Sequence, residues 1–303
     1  MKMLICMTLA ALLAVSAASA HAADRDPEKL RSFADHLFDQ GDYYRAITEY
    51  ERLIFYYPDH ALAETSRYQI ALSYFKGDKL DIAAIRFREL AETYKGRETG
   101  ADALFMLAET YYRKKEFMRA GEIVEDFLKL YPTNSRADSA RIKLGWCYMQ
   151  QGDWRAAAAE FRKLPEDSDL RKQAEGLAAR SAEYDSLPRK SPYLAGALSA
   201  ILPGAGQLYI GRPGDAALSF LLNGAFIYAT TQSFRNNDTA TGAILLLFES
   251  GWYFGNVYNA VNGAHKFNQR TEQEYFNSLQ GRFGVSYQRD GHGTGSLVFV
   301  AGF

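Results

Sequence analysis

Small and large apolar side chains recur in the first half of the chain at a fixed interval of 37 residues. Each cycle contains a small residue followed by a larger apolar or aromatic one, and later a second set of the same kind. The residues in register are Ala34, Ala71, Ala108 and Gly145; Leu37, Tyr74, Tyr111 and Tyr148; Ala46, Ala83, Ala120 and Ala157; Tyr50, Phe87, Val124 and Phe161; and Leu53, Leu90, Phe127 and Leu164. Self-similarity at an interval of this length is the sequence signature of a helical solenoid.

Each cycle predicts two antiparallel helices joined by a tight turn. The first pair is expected at about Glu28–Gln40 and Tyr43–Tyr56. Glycine permits the left-handed conformation that ends a helix, and Asp caps the helix that follows. This Gly-Asp turn occurs at Gly41-Asp42, Gly77-Asp78 and Gly152-Asp153. One pair cannot bury its apolar face alone, so we predict a solenoid of four pairs over residues 27–185, closed by a capping helix near Leu170–Tyr184.

The pattern resembles the tetratricopeptide repeat. That family carries a small residue and an aromatic on its first helix, then Ala, an aromatic and a closing proline on its second. The first and third cycles have this proline, Pro58 and Pro132, whereas Lys95 and Asp169 stand there in the other two. Each cycle is about three residues longer than the usual repeat of about 34. The resemblance implies an all-α repeat fold that binds proteins, and it names no partner.

In that family, the first helices line a concave face that holds partners. Carried over by register, the partner-binding groove is predicted at Arg31, Phe38, Tyr68, Leu72, Phe75, Phe105, Glu109, Tyr112, Trp146 and Met149. A column of aromatic and methionine side chains with a few charges suits an extended peptide or a partner helix. The alternative interpretation is that half of these side chains pack between the helices.

The first 22 residues are typical of a secretory signal peptide. Leu4–Val15 is apolar but too short to span a bilayer, and small residues at Ala18, Ala20 and Ala22 offer cleavage sites. This predicts export, with the repeats outside the cytoplasm. A buried first helix is the alternative. Export would leave Cys147 as the single cysteine, which we interpret as a small buried side chain.

The composition changes after a short linker at residues 186–192, which contains two prolines and adjacent basic residues. Residues 193–262 contain three apolar segments, each close to the roughly 20 residues that cross a bilayer. They are Tyr193–Ile210, Asp215–Gln232 and Ala240–Val261. Asn223, Glu249 and Asn256 interrupt them and are costly in lipid unless they face one another. We predict a hydrophobic helical membrane module, with two or three crossings, and a compact helical domain as the alternative.

One stretch of this module resembles the Pro-Gly-x-Gly-Gln-x-Tyr-x-Gly turn of small bacterial two-span "TM2-like" domains. The residues that carry this membrane motif are Pro203, Gly204, Gly206, Gln207, Tyr209 and Gly211. The glycines allow close backbone contact, and Gln207 and Tyr209 are expected to satisfy polar backbone groups at a break in the helix. The resemblance supplies no biochemical role.

The polar tail, residues 263–303, ends in a different pattern. Phe283, Val285 and Tyr287 alternate with small or polar residues, and a second apolar run begins at Ser296. With a glycine-rich turn between them, these runs predict a short β-hairpin. The terminal Phe303 also resembles the C-terminal signal of outer-membrane proteins.

Charge and motif searches favour a binding protein over an enzyme. The net charge of −1, with both signs interspersed, gives no reason to expect nucleic acid. The five histidines lack metal-ligand spacing, and the chain has neither a phosphate-binding loop nor a nucleophile elbow. We therefore expect no catalytic residues, no metal and no cofactor.

These features together predict a non-enzymatic periplasmic scaffold for protein–protein interaction. Its partners would be a protein or peptide in the groove and membrane lipid at residues 193–262, with the inner membrane favoured and the outer membrane as the alternative. The pattern resembles the periplasmic repeat proteins of outer-membrane assembly and Tol–Pal-linked division, although the lipid-bearing cysteine of the assembly proteins is absent. The alternative function is an accessory subunit of a transport or insertion machine. The partner and the oligomeric state stay open.

Overall fold

The structure is a computed structural model that describes residues 26–283, 285–289 and 295–299. The chain divides into two compact units, the first ending at Ala182 and the second beginning at Glu183. The predicted signal peptide, residues 1–22, lies outside the described residues, so its prediction stands untested.

The described part of the first unit is a succession of α-helices, and the first eight of them pack each against the next. They are α1 (Pro27–Asp39), α2 (Tyr43–Tyr56), α3 (Ala61–Lys76), α4 (Leu80–Thr93), α5 (Glu98–Arg113), α6 (Phe117–Leu130), α7 (Ala137–Gln150), α8 (Trp154–Arg162) and α9 (Arg171–Glu183). The first helices of successive pairs also touch, α1 with α3 and α3 with α5. The helical solenoid predicted from the 37-residue interval is therefore confirmed.

The small residues of the repeat lie where helices cross. Ala34, Ala46 and Ala83 are completely buried, and so is the large Tyr50 that follows in register. Because these small side chains take up little room, the helices can approach closely and the neighbouring aromatic rings can pack around the contact. Full burial of each large apolar side chain contributes about 1.5–3 kcal/mol, so the repeated positions supply much of the stability.

In the turns inside the pairs, a residue with positive φ recurs every 37 residues, although the Gly-Asp motif does not keep this interval. The left-handed residue is Gly41 in the first pair and Gly152 in the fourth, but it is Asp78 in the second and Lys115 in the third. The prediction that Gly77 ends a helix in this conformation is wrong, since its φ is −77°. Spacing set by packing therefore overrides the local preference of glycine for positive φ.

The second unit contains four further helices and two short strands. After a 3-10 turn at Tyr184–Ser186 come α10 (Pro192–Ile201), α11 (Ala205–Tyr209), α12 (Pro213–Arg235), the long α13 (Thr239–Phe283), β1 (Val285–Arg289) and β2 (Gly295–Phe299). Helices α10, α11 and α12 all pack against α13. The strands pair antiparallel, with Val285 opposite Phe299 and Arg289 opposite Gly295.

The prediction of a hydrophobic membrane module, and with it the predicted fold class as a whole, is wrong. Within residues 26–283, no helix combines the length and the mean hydropathy that crossing a bilayer requires. The first predicted segment breaks at Leu202–Gly204 into α10, of 10 residues, and α11, of 5 residues. Helix α12 has 23 residues, but polar side chains such as Asn223, Thr230 and Gln232 dilute its apolar character.

Replacing Gly145 by Ala should destabilise the first unit. A Cβ at this position would lie 2.2 Å from the ring of Phe161, in the space that the alanine methyl occupies in the other repeats. Overpacking of this kind costs about 1–3 kcal/mol, more than the gain of about 1 kcal/mol from removing a helical glycine. Urea unfolding followed by circular dichroism measures the change.

Gly121→Ala is the matched control. A Cβ there would meet its nearest atoms at 3.6 Å, an ordinary contact. This variant should be as stable as the parent or up to about 1 kcal/mol more stable. Equal unfolding midpoints for the two variants would contradict the packing account.

Candidate functional site

Charged and polar side chains join each first helix of the solenoid to the first helix of the next pair or to the residue that caps it. We call this set the inter-repeat ladder. It consists of the ion pairs Glu64–Arg97 at 2.7 Å, Asp102–Arg136 at 2.8 Å and Glu109–Lys143 at 2.7 Å, and of a hydrogen bond from Arg31 Nη1 to Thr65 Oγ1 at 2.6 Å. The ladder holds successive pairs in register along one side of the array.

The partners in the ladder are 33 or 34 residues apart. Residues 37 apart occupy equivalent places in successive pairs, and a helical turn contains about 3.6 residues. The two partners are therefore separated by one repeat less about one helical turn. At this separation their side chains point towards each other across the interface between successive pairs. Our search for motifs missed this signal, which is visible in the sequence as opposite charges at that separation.

The last pair of the ladder contains a buried cation. Lys143 is only 3% exposed, and its Nζ lies 2.7 Å from Glu109 Oε2 and 4.4 Å from the centroid of the Tyr112 ring. Burial opposes the charge on Lys143, but the Glu109 carboxylate and the Tyr112 side chain outweigh it and raise the pKa of the lysine. Lys143 is therefore charged at neutral pH and paired within the protein.

The structure divides the predicted groove residues into two groups. Six are buried between helices, namely Phe38, Leu72, Phe75, Phe105, Trp146 and Met149. Four are half-buried and reach the surface, namely Arg31, Tyr68, Glu109 and Tyr112. The six buried side chains offer no direct contact surface, so a partner would meet the four others. The binding role of all ten stays a prediction.

Specific contacts account for the buried group. The Phe105 ring packs edge-on against Phe127, with centroids 5.7 Å apart. Met149 is covered by α9, where the Ser181 hydroxyl lies 3.6 Å from the methionine sulfur. The large apolar side chains of the predicted groove therefore pack inside the array. The charged and tyrosine side chains are the ones that reach its surface.

Two of the half-buried residues belong to local networks. Arg31 pairs with Asp35 at 3.0 Å, and the Tyr50 hydroxyl donates to the same carboxylate at 2.5 Å. The Tyr68 ring packs edge-on against Phe87 at 5.8 Å. Their orientations are fixed before any partner arrives, which lowers the entropic cost of binding.

Cys147 lies beside this region and is inert. It is a buried free thiol, and burial raises its pKa to about 12. Because the thiolate is the reactive form and Cys147 stays protonated at neutral pH, this cysteine is not a nucleophile there. The structure agrees with its interpretation as a small core side chain.

The predicted membrane motif forms the bend between α10 and α12. Gly204 has a φ of +91°, and a Cβ there would lie 2.3 Å from the backbone oxygen of Ala216. A Cβ on Gly206 would lie 2.1 Å from the backbone oxygen of Ala195. These glycines are thus required by close backbone approach. Pro203 is half-buried in the bend, and Gly211 closes it with a φ of +82°.

Gln207 and Tyr209 connect this bend to its neighbours. Gln207 Nε2 donates to the backbone oxygen of Asn256 at 3.0 Å and to Asn256 Oδ1 at 2.7 Å. The Tyr209 hydroxyl accepts from the backbone N–H of Ser191 at 3.1 Å. Tyr209 thus satisfies a backbone N–H where α10 begins. Gln207 instead bonds Asn256 within α13, so the expectation that it satisfies backbone groups at the break is wrong.

Besides a small apolar core around Ile210, the second unit buries several polar side chains and exposes many apolar ones. Asn223, Thr230 and Glu249 are buried, whereas Leu247 is 74% exposed and Phe254 is 73% exposed. We call the outward side chains the apolar surface; they are Leu218, Phe220, Leu221, Ile227, Tyr228, Ile244, Leu246, Leu247, Phe248, Trp252, Phe254 and Tyr258. Many large apolar side chains exposed on the same two helices indicate an interaction surface.

Comparisons with known proteins bear on the first unit. Models described as tetratricopeptide repeat match residues 32–65, 68–135 and 139–168. No curated protein sequence matches the chain. The fold defines an all-helical repeat protein. The particular repeat is the tetratricopeptide repeat, and proteins built from it act as protein–protein interaction scaffolds.

Solved structures resemble the chain more distantly. They include MamA from Desulfovibrio magneticus, at 22% identity over 48% of this chain and 76% of that one, with a TM-score of 0.40. YrrB is described as a repeat protein with an unusual peptide-binding site. It shares 19% identity over 56% of this chain and 83% of its own, with a TM-score of 0.41. A repeat protein from Parabacteroides merdae shares 16% identity over 84% of this chain and 98% of its own, with a TM-score of 0.43. These likenesses carry no functional argument.

Lys143→Met should destabilise the first unit by about 3 kcal/mol, because the partly buried Glu109 carboxylate would lose its charge partner. Urea unfolding at neutral pH measures this. The parent should also lose stability as the pH rises through the raised pKa of Lys143, since a raised folded-state pKa stabilises only while the proton is held.

Lys129→Met provides the control. Lys129 pairs with Asp126 at 3.5 Å, and both side chains are largely exposed. This change should cost less than about 1 kcal/mol. Equal losses for the two variants would show that the ladder contributes no more than a surface ion pair.

Proposed function

We propose that the protein is a non-enzymatic scaffold whose repeat unit holds a protein or peptide partner along its first helices. The observation that carries this proposal is the set of half-buried side chains Arg31, Tyr68, Glu109 and Tyr112, of which Arg31 and Glu109 belong to the inter-repeat ladder. Aromatic and arginine side chains of this kind dominate binding energy at protein interfaces.

The chemistry of this row favours a partner with mixed charge and free hydrogen-bonding groups. Acidic and basic side chains alternate along the ladder, so neither an acidic nor a basic partner is favoured throughout its length. The tyrosine rings offer apolar faces with a polar tip. An extended segment with alternating side chains would present both kinds of group in turn.

We further propose that the second unit attaches the protein to a lipid surface. The apolar surface supports this, because its exposed Trp252, Tyr228 and Tyr258 have the amphipathic rings that favour the membrane interface. Arg189 and Lys190 precede α10 and would favour anionic headgroups. This proposal concerns attachment and includes no spanning helix.

The signal-like residues 1–22 motivate the location that we propose for the scaffold. Removal of this segment during export would place the repeats in the periplasm, with the second unit on a membrane and the inner membrane favoured. A role in cell-envelope biogenesis or assembly is the corresponding process. It draws support from the resemblance to periplasmic repeat proteins.

Photocrosslinking in cells tests the groove. A benzoylphenylalanine at position 68 or at position 112 should capture the same partner. Tyr112→Ala should weaken capture from position 68 about tenfold, because a central aromatic is lost. Quantitative mass spectrometry of the crosslinked protein measures both results.

Position 44 provides the control. Tyr44 lies on α2, a second helix, and is 83% exposed. Crosslinking from this position should not capture the partner, and Tyr44→Ala should leave capture from position 68 unchanged. Capture of the same partner with equal yield from position 44 would sink the groove proposal.

Flotation with lipid vesicles tests attachment. Full-length protein should float with vesicles of phosphatidylethanolamine and phosphatidylglycerol, and protein isolated from cell membranes should lack residues 1–22. Replacing Leu221, Leu247 and Phe254 by Asn should abolish flotation, because about 25 cal/mol per Å2 of apolar contact is lost. As a control, replacing the exposed Tyr44 and Phe55 of the first unit by Asn should leave flotation unchanged. Flotation that survives the triple change would refute attachment through this surface.

A further inference from the structure

A cleft of about 660 Å3 opens in the first unit between α2 and α4, the second helices of the first two pairs, and residues of α3 also line it. Part of its wall is apolar and comes from Ile54, Ile70 and Leu90. The residues that line the cleft include no member of the predicted groove or of the inter-repeat ladder. Its volume is in the range of small-molecule sites, so the cleft is a candidate for a second kind of ligand.

The charges along α4 reverse an order that two other pairs keep. In the first and fourth pairs, the second helix carries an acid and, three residues later, a base that pairs with it. These ion pairs are Glu49–Arg52 at 2.9 Å and Glu160–Lys163. At the equivalent positions the second pair has the base first, and Arg86 lies 3.1 Å from Glu89. Because Glu49 and Glu160 are buried, an arginine stands in the second pair where the other two hold a buried carboxylate.

This reversal removes the acid that Arg67 would otherwise face. In the fourth pair, Arg141 Nη1 lies 3.5 Å from Glu160 Oε1. Arg67 precedes Arg141 by two intervals of 37 residues, and Arg86 takes the place of Glu160. Within residues 26–283, Arg67 has no ion-pair partner, and its one hydrogen bond runs from Nη1 to the Tyr94 hydroxyl at 3.3 Å. Arg67 is half-buried and lines the cleft, so its guanidinium has unused donors there.

Two further acids line the same cleft. Glu51 and Asp59 are exposed, and neither has an ion-pair partner in the part of the chain that the structure describes. Their charges would repel a dianion such as phosphate, but they would attract an ammonium group. The cleft therefore combines an arginine without an acid, two acids without a base, and an apolar wall.

We propose that the α2–α4 cleft binds a small zwitterion that carries one carboxylate and one ammonium group on an apolar body. The carboxylate would bond to Arg67, as the Glu160 carboxylate does to Arg141 in the fourth pair. The ammonium group would face Glu51 and Asp59, and the apolar body would pack on the isoleucines of the wall. A free aliphatic amino acid and a short unmodified peptide share this chemistry and differ in the distance between their charges.

This inference goes beyond the proposed scaffold, because it gives the repeats a small-molecule site whose lining residues lie outside the groove. Isothermal titration calorimetry with the full chain in nonionic detergent tests it. The probes are leucine, leucyl-leucine, N-acetylleucine, which lacks the ammonium group, and leucinamide, which lacks the carboxylate. Leucine or leucyl-leucine should bind saturably at one molecule per protein, and the tighter of the two identifies the amino acid or the peptide as the source.

The two derivatives test the two charges separately. Leucinamide should bind about tenfold more weakly than leucine, because Arg67 then has no carboxylate to bond. N-acetylleucine should bind about threefold more weakly, since ion pairs with the exposed Glu51 and Asp59 are screened by water. A derivative that binds as tightly as leucine would overturn the assignment of a zwitterion.

Two variants place the ligand in the cleft, and the repeat itself shows that both side chains suit the fold. Arg67→Leu introduces the residue found at the equivalent Leu104, and Thr93→Tyr introduces the one found at the equivalent Tyr56. Arg67→Leu should weaken leucine binding about tenfold and abolish the preference for leucine over leucinamide. Thr93 lines the cleft, so the tyrosine should occupy its space and weaken every probe by about the same factor.

Arg88→Leu is the matched control. Arg88 also donates to a tyrosine hydroxyl, that of Tyr111 at 2.6 Å, but it does not line the cleft. This variant should bind leucine as the parent does, and all three variants should keep the helicity of the parent in circular dichroism.

Binding in Arg67→Leu and Thr93→Tyr that equals binding in Arg88→Leu would overturn the cleft site, and so would the absence of saturable binding by both leucine and leucyl-leucine. The groove is tested independently, since Thr93→Tyr should still capture the partner from position 112.

Discussion

The first unit depends on close approach at the helix crossings. The small side chains Ala34 and Ala46 are completely buried, and at Gly145 even a methyl group is excluded because the Phe161 ring occupies the space. Once the crossings are close, large rings such as Tyr50 can fill the remaining volume at crystal-like density. The interval of 37 residues is therefore a packing constraint, and it is strong enough to place Asp78 and Lys115 in the left-handed conformation.

The second unit has only a small apolar core, around Ile210, and buries polar groups beside it. Its interior is held by a directional chain of hydrogen bonds through Ser199, Gln207 and Asn256, while Leu247 and Phe254 face outward. Such an arrangement is costly in water, because exposed apolar area is unfavourable and buried polar groups need partners. An environment that covers the apolar surface would remove the first cost. The polar chain then supplies the specific geometry that apolar contacts, which are non-directional, do not.

Periodicity predicted the solenoid well, because its core residues are fixed by local spacing. It could not decide which face each residue occupies once neighbouring pairs are stacked, so Phe75 and Trp146 were assigned to the groove although they are buried. The ladder was also missed, because Glu109 and Lys143 meet only across an interface between repeats. The membrane module was overpredicted from composition. Composition does not show that Leu202–Gly204 breaks a segment, or that polar residues within α12 lower its hydropathy.

Burial of the aromatic column changes how the repeats would recognise a partner. The buried Lys143 already has a partner in Glu109, so a ligand that displaced this carboxylate would leave a buried charge unpaired at a cost of several kcal/mol. A carboxylate, however, has about four lone-pair sites. Glu109 can accept a donor from a partner while Lys143 stays at 2.7 Å from its other side. A bound partner that donates to Glu109 in this way leaves the ion pairs of the ladder intact. The packing that positions Tyr68 and Tyr112 is then also preserved. The same charges can therefore hold the repeats in register and contribute to binding.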